Sequence, residues 1–182
     1  MSRRRILLSA AAAVLAAALA FGLFWFEPWR LFTNTRVDEA PPTAAQTAPA
    51  GPTPTSVESA PTAPPPTPAF VPGPERRGEF ISYEHATTGT AAIVEVSAAE
   101  RYIRIENLDT SDGPDLRVYL SPLEHTAGMH AFGDGAVELG ELKGNLGNQN
   151  YAVPADVDLA DYRSVVIWCK RFAVAFGAAP LD

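Results

Sequence analysis

From Ile6 to Phe26 the chain carries no charged residue, and no other feature restricts its fate so strongly. As a helix rising about 1.5 Å per residue, this run covers about 30 Å, the thickness of a bilayer's hydrocarbon core. Arg3, Arg4 and Arg5 precede it. The positive-inside bias then predicts a cytoplasmic N-terminus and export of all that follows, with Arg30 and Arg36 beyond the run reducing the asymmetry. Trp25 and Trp29 fall where indole rings settle at the headgroup boundary, which favours a retained signal anchor over residues 1–30, with membrane lipid as its partner through residues 6–26. Two other readings share the segment. Ala18, Leu19 and Ala20 have the small-x-small pattern of a cleavage site, but cutting there would expose the greasy stretch Phe21–Phe26 as a new terminus. Ser2 to Leu7 also fits a twin-arginine export signal. No cysteine lies near the end of the run, so lipid attachment there is excluded.

Between Pro41 and Pro74 lie twelve of the seventeen prolines, among threonines and alanines with no large aromatic residue before Phe70. Such a segment cannot bury enough surface to offset the entropy of ordering it. Residues 31–74 are therefore expected to form a disordered Pro/Ala/Thr-rich linker, a stalk whose part from Pro41 to Pro74 reaches roughly 100 Å if fully extended as polyproline. Pro61 to Pro64 has the spacing of an SH3 or WW ligand, but those readers are mostly intracellular and the segment is expected outside.

From residue 75 onward short runs of alternating or β-branched residues are separated by turn formers. Strands are expected at Gly78–Glu84, Ala91–Val96, Tyr102–Asn107, Asp115–Ser121, Val137–Leu142, Ser164–Lys170 and Phe172–Phe176. Ile103 and Ile105 alternate with Arg104 and Glu106, and Leu116, Val118 and Leu120 with Arg117 and Tyr119, so each strand should bury one face. Asp158 to Tyr162 suits one helical turn. Residues 75–182 thus predict an all-β domain, an antiparallel β-sandwich or barrel. Ser111 to Asp115 reads as a turn with Gly113 at positive φ. Lys143 to Tyr151 reads as a long polar loop, either self-hydrogen-bonded or a recognition surface, with Asp115, Lys143, Asn145, Asn148, Gln149 and Asn150 as the candidate binding residues.

The net charge of −7 leaves little counterion release to drive nucleic-acid binding, and that class is set aside. Nucleotide-cradling glycine loops, nucleophile elbows and zinc-protease helices have no residues here to build them. One cysteine, Cys169, excludes an internal disulfide and offers the chain's only thiol chemistry. Its parity with Val165 and Ile167 points to a core position, where a thiol is inert, whereas Lys170 and Arg171 beside it would favour a reactive thiolate if the sulfur reached solvent. His85, His125 and His130, with Met129, could supply ligands for a metal or haem, without any spacing that specifies one.

Four blocks, Glu106–Leu108, Gly113–Leu120, Glu138–Tyr151 and Val165–Phe172, stand in the order of the DM-thirteen domain, which residues 78–181 resemble. The resemblance implies an extracellular β domain with an electron-transfer role. It also implies that Cys169 matches the cysteine proposed in that family as a redox thiol or as a haem or metal ligand. Relatives often stand beside a haem-binding DOMON domain, which this chain lacks, so a haem-bearing envelope partner would be a separate protein.

Two functions follow. One is a membrane-anchored redox module working through Cys169, which lacks a resolving thiol and so needs a cofactor or partner to cycle. The other is a non-enzymatic binding or adhesion module that presents the 143–151 loop, with Cys169 as core packing. Neither reading makes the chain a stand-alone enzyme.

Overall fold

The computed structural model describes residues 3–43 and 73–182. The proline-rich stretch of the expected linker, with its Pro61–Pro64 motif, falls outside the described residues, as does Ser2 of the export signal. Helix α1 (Arg3–Phe26) ends at Glu27, whose φ of 43° turns the chain into a short 3-10 turn, Pro28–Phe32. Among the described residues no helix is long and apolar enough to cross a membrane. Within α1 the side chains are described without a break only from residue 10.

Ten strands follow: β1 (Arg36–Asp38), β2 (Arg77–Glu79), β3 (Ile81–Ser82), β4 (Thr88–Glu95), β5 (Arg101–Asp109), β6 (Leu116–Ser121), β7 (Val137–Glu141), β8 (Leu146–Val153), β9 (Ser164–Cys169) and β10 (Val174–Pro180). They form two five-stranded sheets, in the orders β1-β8-β5-β4-β2 and β3-β10-β9-β6-β7. All pairings are antiparallel except β1 with β8. The sandwich class expected from the alternation is what the chain forms. Ile103 and Ile105 of the first sheet meet Val118, Leu120, Val165 and Ile167 of the second in one aliphatic core. The expected turn near Asp158 is a 3-10 turn at Leu159–Asp161, capped by the Asp158 carboxylate accepting from the Ala160 N–H at 2.9 Å.

Several boundaries differ, each for a local reason. The run Gly78–Glu84 is not one strand. Gly78 sits so close to Pro180 that any side chain would overlap it, and Phe80 then turns into the core while the chain crosses from the first sheet to the second. Phe172 lies in a turn, 40% exposed, because Ala173 takes φ 51° and delays the last strand to Val174. Gly113 is not among the glycines at positive φ; its N–H instead donates to the Asp112 carboxylate at 2.8 Å. The second sheet is buried on both faces, since residues 122–136 cover Tyr119, Val166 and Trp168 with Phe132 at the centre.

The largest difference concerns the linker and the polar loop together. Residues 31–74 do not all stand apart from the domain, since Arg36–Asp38 form β1 and pair in parallel with Leu146–Asn148. The expected loop 143–151 is in its greater part strand β8. Its two glycines make room for the neighbour: a Cβ on Gly144 would meet the Thr35 carbonyl, and one on Gly147, at φ 100°, would overlap that of Val37. Polar strand residues read as loop because alternation with apolar residues is missing. The backbone supplies the pairing here, and a second segment of the same chain satisfies the side chains. The chain therefore joins the sandwich before the proline-rich stretch, at β1, and rejoins it at β2 on the opposite edge of the same sheet.

Candidate functional site

Cys169 closes β9, opposite Leu116 of β6 and Val174 of β10. Its parity with Val165 and Ile167 holds: all three are fully buried in the main core, while Val166 and Trp168 face the other side of the sheet. Burial pushes the thiol above its ordinary pKa, partly opposed by the backbone N–H groups of Phe172, Arg171 and Asp115. Lys170, which could have favoured a thiolate, is exposed and bonds the Glu138 carboxylate at 2.8 Å, so its charge is spent on the surface.

The histidines do not gather about the sulfur. His85 leans on Phe176, ring centroids 4.1 Å apart. His125 belongs to the covering segment, where its backbone carbonyl accepts from the Tyr83 hydroxyl at 2.7 Å. His130 is exposed, its Nδ1 2.9 Å from the Ala173 carbonyl oxygen. Among the described residues no three His, Cys, Asp or Glu side chains converge as a metal site requires. Cys169 lies in a hydrophobic cluster against which Met129 packs, and no group of His, Cys, Asp or Glu gathers there among the described residues, so the residues present do not fit a haem or metal ligated there.

The candidate binding residues have partners of their own. Asn145 is buried; its Oδ1 accepts from the Thr35 N–H at 2.7 Å, and its Nδ2 donates to the Thr110 carbonyl at 2.7 Å and to Asn34 at 2.8 Å. Gln149, also buried, donates to the Gly144 carbonyl at 2.6 Å and accepts from the Tyr151 hydroxyl at 2.7 Å and the Gly144 N–H at 3.2 Å. Asn148 donates to Asp38 at 3.1 Å, and Asn150 to the Ala40 carbonyl at 2.8 Å. Lys143 grips Glu39 at 2.7 Å, and Asp115 pairs with Arg117 at 2.7 Å. Burial raises the Glu39 carboxyl, but bonds from Lys143 and the Asn150 N–H, together with the charge of Arg104, outweigh it and leave the pKa lowered. The stretch is taken up by residues 34–40 of the same chain, which pair with β8 and bond Lys143, Asn145, Asn148 and Asn150.

A joint fixes the end of α1 to the sandwich, and sequence reasoning did not single it out. Arg171 donates to the Trp25 carbonyl at 2.7 Å and meets Glu27 at 3.3 Å. Arg30 pairs with Glu27 at 2.6 Å and Asp112 at 3.6 Å, and donates to the Gly113 carbonyl at 3.2 Å. Phe26 stacks on Phe172 with ring centroids 5.7 Å apart. Charges 144 residues apart in sequence give no local pattern that would reveal such pairing.

One family model, described as Electron transfer DM13, matches residues 79–181, the stretch that holds Trp168 and Cys169. The chain belongs to the DM13 family. The match takes in β3 to β10, with Asp112, Gly113, Arg171 and Phe172 of the joint, and omits α1, Glu27, Arg30 and β1, so the strand held by β8 comes from outside the DM13 region. No curated protein and no solved structure matches the chain.

Proposed function

We propose that this chain is a membrane-anchored, extracytoplasmic electron-transfer module, and the match of its sandwich to the electron-transfer family carries that reading. Support for the anchor comes from the sequence, whose uncharged run from Ile6 to Phe26 would amount to about 30 Å as a helix. Leu7, Leu8, Val14, Leu15, Phe21 and Phe24 are all exposed on it and want an apolar surround. Arg3 to Arg5 favour a cytoplasmic N-terminus, which puts the sandwich on the outer side. A haem-bearing envelope protein is the class of partner that could exchange electrons with a domain lacking its own ligand set. Burial of Cys169 counts against direct thiol exchange, because a disulfide or thiol reagent would have to pass its aliphatic walls. An electron-transfer role then needs a redox group brought by the partner, or an opening of the core that lets Cys169 reach it.

The same burial favours a second reading, a binding or adhesion module in which Cys169 only packs. Mixing the purified full chain with cytochrome c, as a haem-bearing probe, separates them. Electron exchange by the parent that persists in Cys169→Ser supports a role without the sulfur, and exchange lost in that variant restores the thiol. Absence of exchange with this probe and with other high- and low-potential haem proteins leaves the binding module. Flotation of the full chain with liposomes, resistant to alkaline extraction, tests the anchor separately.

A further inference from the structure

A cavity of about 400 Å³ lies between the end of α1 and the sandwich, inside the joint. Its size is that of a small-molecule site. The walls are mainly apolar, with Phe26, Pro28, Pro114, Phe172 and Phe176 contributing rings, and Val174 beside them. Phe172 is one of the few large apolar side chains of the sandwich left exposed, and it is exposed here. Of the three acidic residues that line it, Glu27 is paired with Arg30 and Arg171 and Asp112 with Arg30, while Glu84 is exposed and has no ion pair among the described residues. His85 differs. It is half-buried against Phe176, and among the described residues its ring nitrogens have no hydrogen-bond partner, so it offers a donor to whatever fills the space.

The site's position adds a second constraint. Phe26, the last residue of α1, lines it, so a molecule dissolved in the apolar phase that the anchor reading puts around that helix would meet this wall. On its inner side Val174 is the register partner of Cys169. We infer that this cavity binds the ring of a lipid-soluble quinone, with His85 donating a hydrogen bond to one ring carbonyl and Phe172 and Phe176 packing against the ring. This inference rests on the electron-transfer reading and on α1 being the anchor. A planar conjugated ring suits aromatic walls, its carbonyl suits a lone donor, and its tail would leave along the face of Phe26. A lipid acyl chain would fill the same walls without using His85.

Fully substituted quinones, which cannot alkylate Cys169, provide the test. The full chain in detergent micelles is titrated with duroquinone, and in nanodiscs with decylubiquinone, while tryptophan emission is followed. Saturable quenching is expected with both, above the linear quenching by quinone dissolved in the amphiphile. His85→Phe, which keeps a ring against Phe176 and removes the donor, should weaken binding about tenfold, the loss of one hydrogen bond worth roughly 1.4 kcal/mol. Glu95→Gln, at the far end of β4, should bind as the parent does, and thermal midpoints show whether each variant is folded. Purely linear quenching by the parent, or equal affinity in a folded His85→Phe, overturns the proposal; the latter identifies an acyl-chain groove. The micelle titration does not require α1 to enter a bilayer, so failure of the anchor in flotation is read independently of failure at the cavity.

Discussion

Gly147 lies directly beneath the backbone carbonyl of Val37, so close that a Cβ at that position would overlap the oxygen. Its φ of 100° is also one that other residues adopt only under strain. Gly147→Ala should therefore expel β1 from the edge of β8 and cost about 1–3 kcal/mol. Hydrogen exchange measures this: the amides of Arg36 to Glu39 should lose protection while those of Ile103 and Ile105 keep theirs.

Gln149 is fully buried with both ends of its carboxamide bonded. Gln149→Leu keeps most of the volume but strands the N–H and carbonyl of Gly144, at an expected cost of about 1–3 kcal/mol. Asn148→Ala, at a half-buried position whose partners Asp38 and the Asn107 N–H can turn to water, should cost less than about 1 kcal/mol. Urea denaturation of the two variants tests the ordering; equal losses would contradict it.

Cys169 should react with a thiol reagent at the rate at which the domain opens, and not faster. Burial raises its pKa in the folded state, so the neutral thiol contributes stability that is complete below the unfolded value of about 8.5 and is lost as pH rises through the higher folded value. Cys169→Ala should flatten that alkaline decline in thermal midpoint. A midpoint that falls equally with pH in both proteins would refute the assignment.

Glu138 gives the opposite limb. The Lys170 ammonium holds its carboxyl below the usual range against the effect of burial, helped by the Tyr119 hydroxyl and Arg117. A lowered carboxylate contributes stability present above about pH 4.3, which disappears as pH falls through its folded value. Glu138→Gln should make the thermal midpoint less sensitive to acid. The effect should be small and salt-dependent, as the group is partly exposed.

What could be read in the sequence was whatever alternates. Ile103, Ile105, Leu116, Val118 and Leu120 announced their strands because one side of each meets oil, and Cys169 could be placed by parity with Val165 and Ile167. Strand β8 hid itself: Gly147, Asn148, Gln149 and Asn150 carry no apolar period, and Asp38 and Ala40, which accept from Asn148 and Asn150, lie 110 positions earlier. A strand as short as Arg36–Asp38 has too few residues for any period, and only its pairing with β8 defines it. The joint was equally silent, since Glu27, Arg30 and Arg171 look like ordinary surface charges until the fold brings them together.

The attachment of β1 and β2 to opposite edges of one sheet changes the mechanical role of the prolines between them. Four strand spacings, about 19 Å, separate those edges. A pull on α1 reaches the sandwich through the Glu27–Arg171 and Arg30–Asp112 clasps and the three-residue zipper at β8, bypassing everything from Ala44 to Pro72. Lengthening or shortening the chain between Thr43 and Gly73 would thus leave the contacts that tie α1 to the sandwich as they are.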